Sequence, residues 1–266
     1  MPLNIRTYHD LTEPDRSGLA EQIGAQRRRV AERLAGVGRV IAVMSGKGGV
    51  GKSYVTAHLA RALARAGRAV GVLDADLNGP TAARLLEAPP QPMQVGEDGV
   101  EPALAHGVKL VSMALLLEDG KPLAFRGPEA ESWVWRGTLE AAALREFLGD
   151  VRWGALDLLL VDLPPGMQRF LELAELLAAP PAVLTVTIPT PESSDAVRRA
   201  LAAARERGAA LLGVVENMAG GAFPGDAGEV LAREFGIPLL ARIPFNPPSQ
   251  SWDDLRSALP VRRSGS

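Results

Sequence analysis

Seven apolar runs, at 40–44, 69–73, 108–113, 156–161, 182–188, 210–216 and 238–243, alternate along the chain with segments whose apolar positions fall three or four apart. Runs this short and uniformly apolar predict strands buried on both faces, and the intervening spacing predicts helices. Helices are expected at 15–35, about 52–66, 81–87, 138–148, 170–178, 192–207 and 227–235. In the second of these, Val55, Leu59 and Leu63 share the face that should meet the sheet, and Gly67 follows where a C-terminal cap would stand. In the fourth, Leu139, Ala143 and Leu144 should point inward. Such alternation predicts an α/β fold, a single domain with a mostly parallel sheet flanked by helices on both faces. Ligands on such sheets bind beyond the carboxyl ends of the strands.

The pattern fades in three places. Residues 1–38 form an arm followed by one moderately amphipathic helix, too little for a separate domain. The Pro- and Gly-rich stretch 88–107 predicts a hairpin or excursion outside the sheet, and the spacing between 115 and 135 assigns no element, so 88–135 reads as an insertion. Residues 249–266, with Pro260 and a short basic end, read as a tail and make a poor membrane helix. The body of the fold is then 39–248.

Composition narrows the function classes. The formal net charge is −2 over 266 residues, so no overall field draws the chain to nucleic acid or to an anionic membrane. Local basic runs such as Arg27–Arg29 and Arg198–Arg199 read as solvated helix faces. No apolar run approaches the ~18–20 residues of a membrane span and the first residues lack a leader pattern, so a cytoplasmic location is expected. There is no cysteine, which removes disulfides, thiolate metal sites and a thiol nucleophile. The histidines, at 9, 58 and 106, are too scattered to suggest a metal site.

The candidate chemistry begins after the first apolar run. Gly46-Lys47-Gly48-Gly49-Val50-Gly51-Lys52-Ser53 fits the phosphate-loop template G-x-x-x-x-G-K-[ST] in full, between a predicted strand and a predicted helix. Glycines let the backbone curl so that successive N–H groups face phosphate oxygens, and the helix beginning near Lys52 adds the positive end of its dipole. Lys52 would supply a compact charge near the β- and γ-phosphates, and Ser53 a hydroxyl ligand for Mg²⁺. Only four lysines (47, 52, 109 and 121) stand against 25 arginines, and two of the four lie in this loop. A broad guanidinium fork suits a cradle of backbone amides poorly, whereas an ammonium fits.

Carboxylates at strand ends are the second signal. Asp162 closes a strongly apolar run, the place where such folds put the acid that holds Mg²⁺. Asp74 and Asp76 close the second run and share a side if the strand stays extended, one for the metal and the other for the attacking water. Each could instead be an Asp that opens a loop and caps a turn. Asn217 ends another run, where it is either a base contact or a turn former.

Together these motifs resemble the deviant phosphate loop of the MinD, ParA and Mrp ATPases, whose loop carries a second lysine after its first glycine, here Lys47. Asp74-Ala75-Asp76-Leu77-Asn78-Gly79-Pro80 is similar to switch I of the Mrp branch, and Val161-Asp162-Leu163-Pro164-Pro165-Gly166 to its switch II. Trp135-Arg136-Gly137, Gly213-Val214-Val215-Glu216-Asn217-Met218 and Ile243-Pro244 match as well, so the resemblance spans about 38–248. It implies a P-loop NTPase fold and a Mg²⁺-dependent ATPase that dimerises with ATP sandwiched between subunits. Lys47 would cross to the partner's phosphates, unless it pairs with carboxylates of its own chain. Asp76 would position water, Asn217 would hydrogen-bond adenine, and Tyr54 stands where the family has threonine, beside an intact Ser53.

Two departures stand out. Mrp-type iron–sulfur carriers have a Cys-x-x-Cys pair after the Asn-Met motif; here the segment runs Asn217-Met218-Ala219-Gly220-Gly221-Ala222-Phe223-Pro224-Gly225-Asp226. No cluster is expected on this chain alone. After Gly166 comes Met167-Gln168-Arg169-Phe170 in place of the usual small residue, glycine and aspartate. The expectation is therefore an ATP-driven switch in iron–sulfur assembly or metalloprotein maturation, working as a homodimer through an unidentified client, with no nucleic acid or membrane partner. A ParA- or MinD-like positioning ATPase is the alternative, and an ATP-dependent small-molecule ligase or kinase with 88–135 as a lid is a further one.

Overall fold

The computed structural model of the chain describes residues 19–115, 142–220 and 225–260, apart from 78, 91, 92 and 97. The strands are β1 (Val37–Ser45), β2 (Val70–Asp74), β3 (Val95–Gly96), β4 (Gly99–Val100), β5 (Ala103–Ala105), β6 (Val108–Ser112), β7 (Leu156–Asp162), β8 (Ala182–Thr187), β9 (Leu211–Ala219) and β10 (Leu239–Pro244). The helices are α1 (Leu19–Arg33), α2 (Lys52–Arg65), α3 (Ala82–Leu85), α4 (142–149), α5 (Gln168–Leu176), α6 (Pro191–Glu206), α7 (Ala227–Phe235) and α8 (Ser249–Ala258).

The apolar runs lie where full burial demands. The main sheet has the order β10-β9-β8-β1-β7-β2-β6-β5, with every pair parallel except β5 with β6. Its central strands β7 and β2 bury nearly every side chain, and β1 does so from Ile41 to Ser45. Helices cover both faces and leave the carboxyl ends of the parallel strands along one edge, above β1, β7 and β2. Register fixes what stands there: Val43 of β1 lies opposite Asp162 of β7, and Asp162 opposite Asp74 of β2.

Local chemistry explains the helix ends. Val55, Leu59 and Leu63 of α2 are buried against the sheet, and Gly67 follows with φ +78°, the left-handed turn a C-terminal glycine supplies. Thr190 caps α6 by accepting from the Ser193 N–H, with Pro191 at the first helical position. Glu216, 1% exposed on β9, accepts from the Gly228 N–H at 2.6 Å, placing a carboxylate at the N-terminus of α7.

Several boundaries differ from the sequence expectation. β1 starts at Val37 because its pairing with β7 begins at Val37 and Leu156, and β9 runs on to Ala219 because β10 continues beside it. The stretch 88–107 is only partly an excursion. β3 and β4 form a separate two-stranded ribbon, but β5 joins the main sheet through the two-residue turn His106-Gly107. Both turn residues have positive φ, 50° and 78°, as a tight primed hairpin turn requires. Residues 116–141, including Trp135-Arg136-Gly137, lie outside the described residues. The expected first helix is α1, and it is tied to the body: Val30 is buried, and Arg29 and Arg33 reach Asp150 and the Gly149 carbonyl.

The stretch expected as a tail from 249 contains α8, which packs on α2 and β10. Trp252 is 5% exposed, stacks on His58 at 4.7 Å and meets Tyr54 edge-on at 5.5 Å. Burial, with Arg61 and Arg65 nearby, lowers the His58 pKa, so a neutral ring sits between the two aromatics. Truncating Trp252 to alanine should empty this cluster and lower stability by about 3–5 kcal/mol in urea unfolding. A change under about 0.5 kcal/mol, the range of a neutral surface substitution, would mean that α8 is not anchored there.

Candidate functional site

At the end of β1 the chain turns sharply, and glycine is required for stated reasons. A Cβ on Gly46 would lie 2.5 Å from Ala196 Cβ and from the Val197 nitrogen of α6. Gly49 and Gly51 have φ of +79° and +77°. Gly51 serves as the N-cap of α2 with no side-chain cap, and no acid occupies the first turn. The leading N–H groups of a fourteen-residue helix therefore face the loop with no carboxylate of their own to satisfy them.

Lys47, Gly48, Gly49, Val50, Gly51, Lys52, Ser53 and Tyr54 line a cavity of about 300 Å³ together with Asp76, Gly79, Thr81, Arg84 and Pro165. The sequence expectation for the loop thus meets one leg of switch I and one of switch II across a single space. Lys47 is exposed, with no ion pair to a carboxylate among the described residues. Ser45 steadies the curl by donating from Oγ to the Lys47 carbonyl at 2.9 Å.

The other expected residues stand behind this wall. Lys52, 6% exposed, donates its ammonium to Asp162 Oδ1 at 2.5 Å. Asp162 is fully buried, and its Oδ2 has no hydrogen-bond partner among the described residues. Such an orphan is costly in a low-dielectric site unless a ligand completes it. Asp74 and Asp76 divide their roles instead of sharing a side, because the strand ends at Asp74. Asp74, 1% exposed, accepts from the Asp76 N–H at 3.2 Å, the Ala82 N–H at 3.0 Å and the Ser112 hydroxyl at 3.2 Å. Asp76 turns into the cavity and accepts from the Gly79 N–H at 3.2 Å.

Asn217, the expected adenine contact, also braces the phosphate loop. It is 3% exposed, and its Nδ2 donates to the Val50 carbonyl at 2.9 Å. A Cβ on Gly51 would sit 2.3 Å from that same nitrogen, so the asparagine holds the phosphate loop from below. Met218 beside it takes φ +57°, a strained value for a side chain of its size. The sequence reading missed Thr81 and Arg84 on the cavity wall. Their i, i+3 spacing after Pro80 is the signal that could have found them, since it puts both on one side of a turn.

Register explains the electrostatics. Asp74 and Asp162 are partners on adjacent parallel strands, roughly 4.8 Å apart along the backbone. Burial first, and then the Asp162 charge, push the Asp74 carboxyl up to about 7. The donor set of two carboxylates, one with an unpartnered buried oxygen, and the nearby Ser53 hydroxyl suits a hard divalent cation such as Mg²⁺. A carboxyl that holds its proton more tightly when folded costs nothing below about pH 4 and lowers stability as pH rises towards 7. Asp74→Asn should therefore gain on the wild type by roughly 1.4 kcal/mol per pH unit across about pH 4–7 in paired urea titrations. A difference independent of pH would show that Asp74 titrates normally.

Comparison with known proteins agrees with this geometry. A ParA-type family described as NUBPL iron-transfer P-loop NTPase matches residues 36–264. An iron–sulfur cluster carrier protein of Saccharolobus solfataricus is 36% identical over 240 residues, 85% of this chain and 78% of that one. The human cytosolic Fe–S cluster assembly factor NUBP2 is 39% identical over 230 residues, 80% and 82% of the two chains. Among solved structures, a nucleotide-binding protein from Archaeoglobus fulgidus in complex with ADP superposes with a TM-score of 0.67 at 35% identity, over 87% of this chain and 92% of that one. MinD from Pyrococcus horikoshii with Mg-ADP shares the fold at 21% identity and a TM-score of 0.56, over 82% and 94%. By its motifs, its sheet order and these matches, the chain belongs to the ParA-type, NUBPL-like family of iron-transfer P-loop NTPases.

Proposed function

We propose that the protein is a Mg²⁺-dependent ATPase that switches between association states and serves iron–sulfur assembly through a partner that supplies the cluster ligands. The observation that carries the reading is one space walled by the glycine loop, the start of α2 and Asp76, with the unpartnered Asp162 oxygen behind it. Backbone N–H groups of the loop would bind the inner phosphates, and the Lys52 ammonium would leave Asp162 for the outer ones. Ser53, Asp74 and Asp162 would hold Mg²⁺, which when bound neutralises charge on the phosphate oxygens. Asp76, facing the cavity, would orient the attacking water. Lys47, exposed at the rim, would reach the nucleotide of a second subunit and tie hydrolysis to dimerisation.

Relatives named as cluster carriers or assembly factors point to the process. The chain brings no cysteine of its own, so ligation by its own thiolates is excluded. Reconstitution with iron and sulfide should leave this chain without the absorbance of a thiolate-ligated cluster, and a stable cluster would overturn that part of the proposal. A MinD-like positioning role is less favoured by one observation: α8 spends its apolar residues Trp252 and Leu255 on its own fold, leaving no apolar face there for a membrane. No helix among the described residues is long and apolar enough to cross one.

Titration calorimetry tests the core of the reading. ATP with Mg²⁺ should bind the wild type, and Lys52→Ala should abolish the heat of binding. Chelating the metal should weaken ATP affinity by tenfold or more, because Lys52 cannot leave Asp162 without stranding a buried carboxylate. Equal affinity for Lys52→Ala and the wild type would reject the site assignment. For the switch, Lys47→Ala should reduce the ATP-dependent dimer fraction in sedimentation, and an unchanged fraction would reject the cross-subunit role.

A further inference from the structure

The wall opposite the glycine loop carries a cation that the switch mechanism above leaves unused. Arg84 lies on α3, the short helix following switch I, and borders the same cavity as Lys47, Lys52 and Asp76. Its side chain is exposed and has no ion pair or hydrogen bond among the described residues. Many other arginines in the chain are engaged: Arg29 by Asp150, Arg61 by Glu87, Arg152 by Glu101, Arg198 by Asp195 and Glu234, Arg242 by Glu216 and Glu229. Asp76 shares the wall but spends its Oδ1 on the Gly79 N–H.

Arg84 is also held in place from behind. The Ala82 N–H at the start of α3 donates to Asp74 Oδ2, so the helix carrying Arg84 is fastened to a carboxylate of the proposed metal site. Position decides which phosphate it could meet. On the nucleotide-binding reading the amides at the start of α2 would take the inner phosphates, which leaves the terminal group to the side of the cavity bordered by Asp76 and Pro165. Arg84 shares their wall. A planar guanidinium is suited to grip two oxygens of a phosphoryl group and to neutralise charge that develops on it.

From this juxtaposition we infer that Arg84 binds the terminal phosphate of a nucleoside triphosphate in its own subunit, and so makes switch I discriminate triphosphate from diphosphate. The inference rests on the nucleotide-binding reading above and deepens it. An exposed arginine without partners can be removed with little effect on folding, so the variant reports binding.

The test compares Mg²⁺-ADP with a non-hydrolysable Mg²⁺-ATP analogue by calorimetry, on wild type, Arg84→Ala and Arg84→Lys, after urea unfolding shows equal stability. Arg84→Ala should weaken the analogue about tenfold, about 1.4 kcal/mol, and leave ADP within about twofold. Arg84→Lys should recover part of the loss through its point charge. An equal loss for both nucleotides, or no loss for either, would overturn the inference while leaving nucleotide binding intact. A wild type that binds neither nucleotide would instead defeat the reading it rests on.

Discussion

The contact between the Lys52 ammonium and the Asp162 carboxylate sets the terms for the rest of the site. Both groups are almost wholly buried, and neither could stay charged there alone. The pair joins the start of α2 to the tip of β7, the two elements between which phosphates would enter. Asp74, one strand away in register, forms no ion pair among the described residues, and burial followed by the Asp162 charge raises its pKa. One ammonium thus faces two carboxyl groups, and Asp162 Oδ2 has no hydrogen-bond partner among the described residues. On the proposed reading that imbalance would make an anion without a divalent cation a poor ligand, because moving Lys52 towards phosphate would leave the acids uncompensated.

The sheet turns this local chemistry into geometry. β1, β7 and β2 are parallel and adjacent, so the loop, Asp162 and Asp74 arrive at one edge without any long-range steering by side chains. β9 then braces the arrangement from the other side. Its Glu216 fixes the start of α7, and the next residue, Asn217, fixes the phosphate loop at Val50. Gly46 and Gly51 are as small as they are because α6 and Asn217 occupy the room a Cβ would need.

What the sequence made legible follows from the range of the forces involved. The strands and most helices could be read because full burial leaves a mark on consecutive residues, and α7 was bounded at both of its ends. The phosphate loop could be read because its backbone curl demands glycine at fixed spacing. The opposite outcome for α8 has the same cause: Trp252 is held by Tyr54 and His58, nearly two hundred positions away, and nothing near 252 announces that contact. β5 was missed because three residues on a sheet edge carry little pattern. The separate directions of Asp74 and Asp76 depended on the strand ending between them, a difference that alternation alone cannot reveal.

Asn217 shows how a residue legible by its type can carry a structural contact that the sequence does not announce. The asparagine at the end of an apolar run was legible as a chemical group placed at the nucleotide edge, and it is there. Its amide, however, is bound to the Val50 carbonyl, in a place where Gly51 leaves room for it and where Met218 accepts a strained backbone. An amide so fixed couples the loop to the end of β9. Strain of this sort persists only where the surrounding contacts over-determine it. The hydrogen bond from Asn217, the β8 and β10 ladders on either side and the buried Glu216 supply that determination.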